Sequence, residues 1–211
     1  MKLKSIAVLF AMCASVSSVS AANLSYTGTM AHDNDVLLFN FSVGAQSTVG
    51  LRTWSYAGGT NAAGQAIARG GFDPIMELFN SAGMLIDQQD DGECKKVAAD
   101  AVSHQCWDIN FTINLAPGNY TASIQQWNNY SVSENLADGF YYQVIEPDQH
   151  FRNGFVDDAS TQRNGSWAFD ILNVNPAALP APADVPEPGS LALVGAAMIG
   201  MAGLRRRRAR K

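Results

Sequence analysis

The sequence has little that would carry catalysis. It contains no Gly-x-Ser-x-Gly elbow and no His-Glu-x-x-His helix, so the common hydrolase nucleophile turn and the two-histidine zinc site are excluded. Its three histidines, His32, His104 and His150, are dispersed, and no nucleophile–histidine–acid set follows from their spacing. Gly58-Gly59 and Gly70-Gly71 bound a Gly/Ala-rich, flexible loop, but no Lys-Ser/Thr follows to cradle a phosphate. No fixed-period repeat is present, and no convincing helical periodicity. These absences assign no catalytic residue, and the chain is expected not to be an enzyme.

Basic charge is also scarce where a nucleic-acid surface would need it. The formal charge of −5 hides an uneven distribution, because Lys2, Lys4 and six residues of the final heptad are basic. Residues 22–186 hold six Lys and Arg against eighteen Asp and Glu, a net −12. Such a surface repels nucleic acid and anionic lipid and attracts divalent cations or basic partners.

Long hydrophobic runs are missing from the centre and confined to the ends. Residues 1–21 begin with two lysines, continue through an apolar run from Ile6 to Ala14, and end Val19-Ser20-Ala21. That order is a secretory signal peptide handed to the translocon, and the run is too short to span a bilayer of ~30 Å. Cleavage is expected after Ala21, with Ala22 the alternative. Cys13 follows Met12 rather than a small residue, which argues against lipidation. Once Cys13 leaves with the signal, Cys94 and Cys106 remain, an even pair in an oxidising compartment. Their bridge would close a loop of about a dozen residues, worth roughly 3 kcal/mol.

The other end changes composition after Leu172. Pro176, Pro180, Pro182, Pro186 and Pro188 alternate with alanine, which suits an extended spacer rather than a strand. Residues 173–184 are therefore a linker. Then come Pro186-Glu187-Pro188, a run from Leu191 to Leu204 that is wholly apolar or glycine, and Arg205, Arg206, Arg207 and Arg208. As a helix the run reaches only ~21 Å. Snorkelling arginines extend its reach, and the arginine cluster should stay cytoplasmic. This order at residues 185–211 resembles the PEP-CTERM sorting domain. The resemblance implies an exported protein held transiently in the inner membrane by the short helix. It also implies processing by exosortase, with Pro186, Glu187 and Pro188 as the recognition residues.

Between the two signals, residues 22–172 read as one all-β domain, a β-sandwich or jelly roll. Leu37, Phe39, Phe41 and Val43 alternate with Leu38, Asn40 and Ser42; Ile109, Phe111, Ile113 and Leu115 alternate with Asp108, Asn110, Thr112 and Asn114. A period of two with one polar face means a sheet with one wet side. Further strands are expected over residues 24–30, 48–56, 75–79, 84–88, 120–127, 139–146 and 166–172. The turns Asn80-Ser81-Ala82-Gly83 and Ala116-Pro117-Gly118-Asn119 separate strand pairs at hairpin distances.

The runs Asp33-Asn34-Asp35-Val36, Phe72-Asp73-Pro74-Ile75 and Leu115-Ala116-Pro117-Gly118-Asn119-Tyr120 are similar to those of bacterial pre-peptidase C-terminal domains. Those are jelly-roll-like sandwiches appended to secreted peptidases, and the likeness covers roughly residues 24–127. No peptidase domain accompanies this one, so no service to a protease in the same chain is expected. Some members of that family bind calcium in such loops. Here Asp33 and Asp35, on one side of an extended segment, and Asp90 and Asp91, after a hairpin strand, are the candidate ligands, provided the fold brings both loops to one end. Trp127-Asn128-Asn129-Tyr130 combines aromatic rings with amides, so Trp127 and Tyr130 are candidates for stacking on a glycan. The leading expectation is a non-enzymatic surface or matrix protein associated with exopolysaccharide or biofilm. The second is a calcium-assisted module binding glycan or protein.

Overall fold

The computed structural model describes residues 21–145 and 154–174. The expected Pro-Glu-Pro motif, apolar run and arginine cluster lie outside them, as do all of the signal peptide but Ala21 and all of the linker but Asn173 and Val174, which continue the last strand. Among the described residues no helix is long and apolar enough to cross a membrane.

Ten strands form in chain order: β1 (Ala22–Thr29), β2 (Val36–Val43), β3 (Ser47–Thr53), β4 (Gly59–Thr60), β5 (Ala66–Ile67), β6 (Pro74–Asn80), β7 (Leu85–Gln89), β8 (Asn110–Leu115), β9 (Gly118–Gln126) and β10 (Ser166–Val174). A 3-10 turn (Leu136–Asp138) and the one-turn helix α1 (Tyr141–Val144) are the only helical elements among the described residues. Two four-stranded antiparallel sheets have the orders β1-β10-β3-β8 and β2-β9-β6-β7, and β4-β5 is a separate small hairpin. Setting that hairpin aside and renumbering, the orders become 1-8-3-6 and 2-7-4-5. This is the jelly-roll arrangement, in which strands alternate between two packed sheets.

The alternation read from the sequence sets the core. Phe41 and Val43 of β2, Met76 and Leu78 of β6, and Ala122 and Ile124 of β9 meet Val49 and Leu51 of β3, Leu115 of β8, and Phe169 and Ile171 of β10. Phe39 packs edge-on to Trp167 and tilted against Phe169, with ring centroids 5.5 and 5.0 Å away. Asn40 and Ser42 stay exposed on the opposite face, as a half-wet sheet requires. The Asn80–Gly83 turn closes the β6–β7 hairpin, with Gly83 at a φ of +78° that a side chain would resist. Cys94 and Cys106 are bridged, their Cα atoms 5.2 Å apart.

Three local expectations are corrected. The alternating run from Asp108 to Leu115 becomes a strand only at Asn110, because Asp108 turns inward, as described below. The glycine-bounded loop at 57–71 is held rather than loose. It forms the β4–β5 hairpin, and the amide of Ala62 donates to the buried carboxylate of Asp170, which also accepts from Ser25 Oγ and Trp54 Nε1. Its last glycine, Gly71, packs so close to the carbonyls of Ser55 and Ser166 that no Cβ fits. The strand expected over 139–146 is absent up to Ile145. Phe140 makes one bridge to Ser131 and the chain then turns into α1. The side-chain oxygen of Asn129 accepts the Tyr142 amide at 2.9 Å and removes it from any ladder.

Candidate functional site

Strand direction brings several acidic loops to one end of the β2-β9-β6-β7 sheet. Val36 opens β2 opposite Gln125 near the end of β9, Ile75 lies on the other side of Gln125, and Met76 faces Gln89 at the end of β7. The loops bearing Asp33/Asp35 and Asp90/Asp91 therefore share an end, as the calcium expectation required. They flank opposite edges of the sheet, however, three strand spacings or about 14 Å apart. Residues 33–34 also form a turn rather than an extended segment. Asp33 is buried, whereas Asp35 accepts the amides of Ala31 and His32 at 2.9 and 2.8 Å and caps that turn. Asp90 accepts the Tyr130 hydroxyl at 2.6 Å. Among the described residues no three Asp, Glu, His or Cys side chains are gathered as a ready metal cage.

The acid on which the charges of Asp90 and Asp91 act is Asp73, just before β6, which the sequence showed only within the run Phe72-Asp73-Pro74-Ile75. Asp73 is 3% exposed and its Oδ1 has no hydrogen-bond partner. Burial, reinforced by the charges of Asp91, Asp90 and Asp157, pushes its carboxyl up to about 9. Burial and the charges of Asp90 and Asp158 raise Asp91 to about 6. Burial and like-charge repulsion therefore favour the protonated form of Asp73 near neutral pH.

A second group of acids is bonded into the fold. Arg163 donates from Nε to Asp157 at 2.9 Å, lies 3.7 Å from Asp100 Oδ2, and covers the ring of Tyr56. Tyr56 in turn donates to Asp157. Arg69 grips Asp100 through Nε and Nη2 at 2.7 and 2.8 Å. Burial drives the Asp100 carboxyl upward, but its bonds from Arg69, from the amides of Ser103 and Val102 and from the Ser103 hydroxyl outweigh that and hold it well below the usual range. Asp108 accepts from Thr53 Oγ1 and from the amides of Tyr56 and Ala57. Burial raises its pKa against those bonds. These groups anchor the disulfide loop and the segment before β10 to the sandwich; each is occupied by structure.

The aromatic pair expected to stack on a glycan is split. Trp127 Nε1 donates to the Val156 carbonyl at 2.6 Å and fixes the loop that precedes β10. Tyr130 instead lines a 360 Å³ cleft with Asn128, Ser131, Tyr141 and Tyr142. Burial and the bond to Asp90 hold the Tyr130 phenol in its neutral form.

No curated protein matches the chain. Among solved structures it is similar to the pre-peptidase C-terminal domain of a collagenase from Bacillus anthracis, at 10% identity and a TM-score of 0.35, over 71% of this chain and 86% of that one. Residues 184–208 match the PEP-CTERM protein-sorting motif, so this chain carries the signal of an exported protein that is held transiently at the membrane and recognised by exosortase.

Proposed function

We propose that the jelly-roll domain is a non-enzymatic surface or matrix module, delivered outside the cell by its sorting tail and associated there with exopolysaccharide. The observation that carries the reading is the PEP-CTERM match at 184–208 behind a proline-rich stretch. The non-enzymatic part is supported by how the buried ionisable groups are used. Asp100, Asp108, Asp157, Arg163 and Tyr56 are spent on bonds that hold loops together. Replacing Pro186 and Glu187 by alanine should retain the protein at the inner membrane, and deleting the protein should weaken floc or biofilm. Normal surface delivery of the Pro186→Ala/Glu187→Ala chain would remove the basis of this reading.

A second reading, a calcium-assisted module, draws on one observation. Asp73 is buried with an unpartnered Oδ1 and feels the charges of Asp91 and Asp90, an arrangement that a hard cation would relieve. Ion binding would draw Asp90 from the Tyr130 hydroxyl and close the two loops on Asp73.

A further inference from the structure

A further concavity lies at the other end of the same sheet. It is a groove of 640 Å³ on the outer face of β2 and β9, walled by the β6–β7 turn and by the turn at residues 135–137. No charged side chain lines it, in a domain that is otherwise strongly acidic. Four asparagines do: Asn40, Asn80, Asn119 and Asn135.

Each of these four side chains is fixed through its oxygen. Asn40 Oδ1 accepts from Thr121 Oγ1 at 2.8 Å and Asn119 Oδ1 from Ser42 Oγ at 2.7 Å, two rungs across the β2–β9 pair. Asn80 Oδ1 accepts the amides of Ala82 and Met84, and Asn135 Oδ1 accepts that of Ala137. Because the oxygens are engaged, the amide orientation is set, and the NH2 end of each remains as an unused donor. The Thr121 and Ser42 hydroxyls have donated their protons and keep lone pairs to accept. Leu136 and Ala82 add small apolar surface between these groups.

We propose that this groove binds a neutral polysaccharide chain, held by the four asparagine amides donating to its hydroxyl and ring oxygens. The proposal rests on the reading that the domain meets exopolysaccharide outside the cell, and names where and with what chemistry. A pre-oriented array of neutral donors and acceptors suits a polyol, whose hydroxyls are both. An anionic polymer finds no cation here, and a peptide finds no deep apolar anchor.

The test is native electrophoresis of the purified full chain in gels cast with dextran, galactomannan or hydroxyethylcellulose, and with alginate as the acidic comparison. At least one neutral polymer should retard the protein, and the retardation should be insensitive to salt. Asn40→Asp with Asn119→Asp keeps both structural acceptors but replaces each donor by a carboxylate. It should weaken retention about tenfold or more while the melting temperature holds. If that pair unsettles the sheet, Asn135→Asp, which preserves a turn cap, takes its place. Retardation by alginate alone, by none of the neutral polymers, or equally in the variants would overturn the proposal. So would loss on Trp127→Ala with the asparagine variants intact. Delivery to the surface, scored in the same strains, separates the two readings. Groove variants that are sorted normally but cease to bind support this proposal. A chain that binds neutral polymer but ignores its sorting tail overturns only the sorting reading.

Discussion

The guanidinium of Arg163 lies 3.7 Å over the ring of Tyr56, and both side chains donate to the same carboxylate, Asp157. The Arg163 side chain is 3% exposed and that of Asp157 is fully buried, so neither charge is hydrated. Removing one partner strands the others. Arg163→Met should cost about 3–5 kcal/mol, because Asp157 and Asp100 would both lose a buried cation. Tyr56→Phe, which removes only the hydroxyl, should cost about 1–3 kcal/mol. Chemical denaturation of the two variants checks the order; equal midpoints for wild type and Arg163→Met would refute it.

The disulfide and the ion network should be coupled. The Cys94–Cys106 loop carries Asp100 to Arg69 and Arg163, so opening the loop loosens the acid as well as the chain. Replacing both cysteines by serine should cost roughly 3 kcal/mol. Adding Asp100→Asn to that pair should cost less than it does in the bridged protein. Strict additivity in a double-mutant cycle would show that the ion network holds independently of the bridge.

The structure also predicts a pH dependence. Glu77 is wholly buried on the outer face of β6; one oxygen accepts the Ser131 amide at 3.0 Å and Oε2 has no partner. Burial raises its pKa in the folded state above the unfolded value. Its stabilising contribution is therefore complete below the unfolded pKa and is lost as pH rises through the folded pKa. Asp100 has the opposite sign, its contribution being lost as pH falls below the ordinary carboxylate range. Glu77→Gln should therefore gain about 1–2 kcal/mol over wild type at pH 8 and little or nothing at pH 4. A gain that is the same at both values would mean that Glu77 does not titrate between them.

Much of this fold was legible because its signals are local. The alternation through Leu37, Phe39, Phe41 and Val43, the Asn80–Gly83 turn and the cysteine pair each depend on a few neighbouring residues. Where the reading failed, the deciding partner was remote in sequence. Asp108 looks like one more polar residue on a wet face, yet Thr53 and the amides of Tyr56 and Ala57 pull it inside. Residues 139–145 have strand-like composition, but Asn129 claims the Tyr142 amide. Asp33 and Asp90 looked like partners because strand order, which separates their loops by two intervening strands, is not written in either loop. Asp73 and the four groove asparagines come from separate turns and strands, and only the topology assembles them.

Asp73 offers a discriminating measurement for the calcium reading. Without the ion Asp73 must take up a proton on folding near neutral pH, which costs stability, so Asp73→Asn should raise the melting temperature in chelator. In millimolar calcium the wild type should gain stability and the variant should not. A calcium response that survives Asp73→Asn, or a wild type that shows none, would retire the assignment.

The central claim is that this protein is exported, stalled in the membrane by its tail, and processed at the Pro-Glu-Pro segment. Intact-mass spectrometry of the surface form tests it most directly. The account predicts a mass lacking the signal peptide and the segment from Leu191 through Lys211. A surface form that still carries Arg205, Arg206, Arg207 and Arg208 would contradict it.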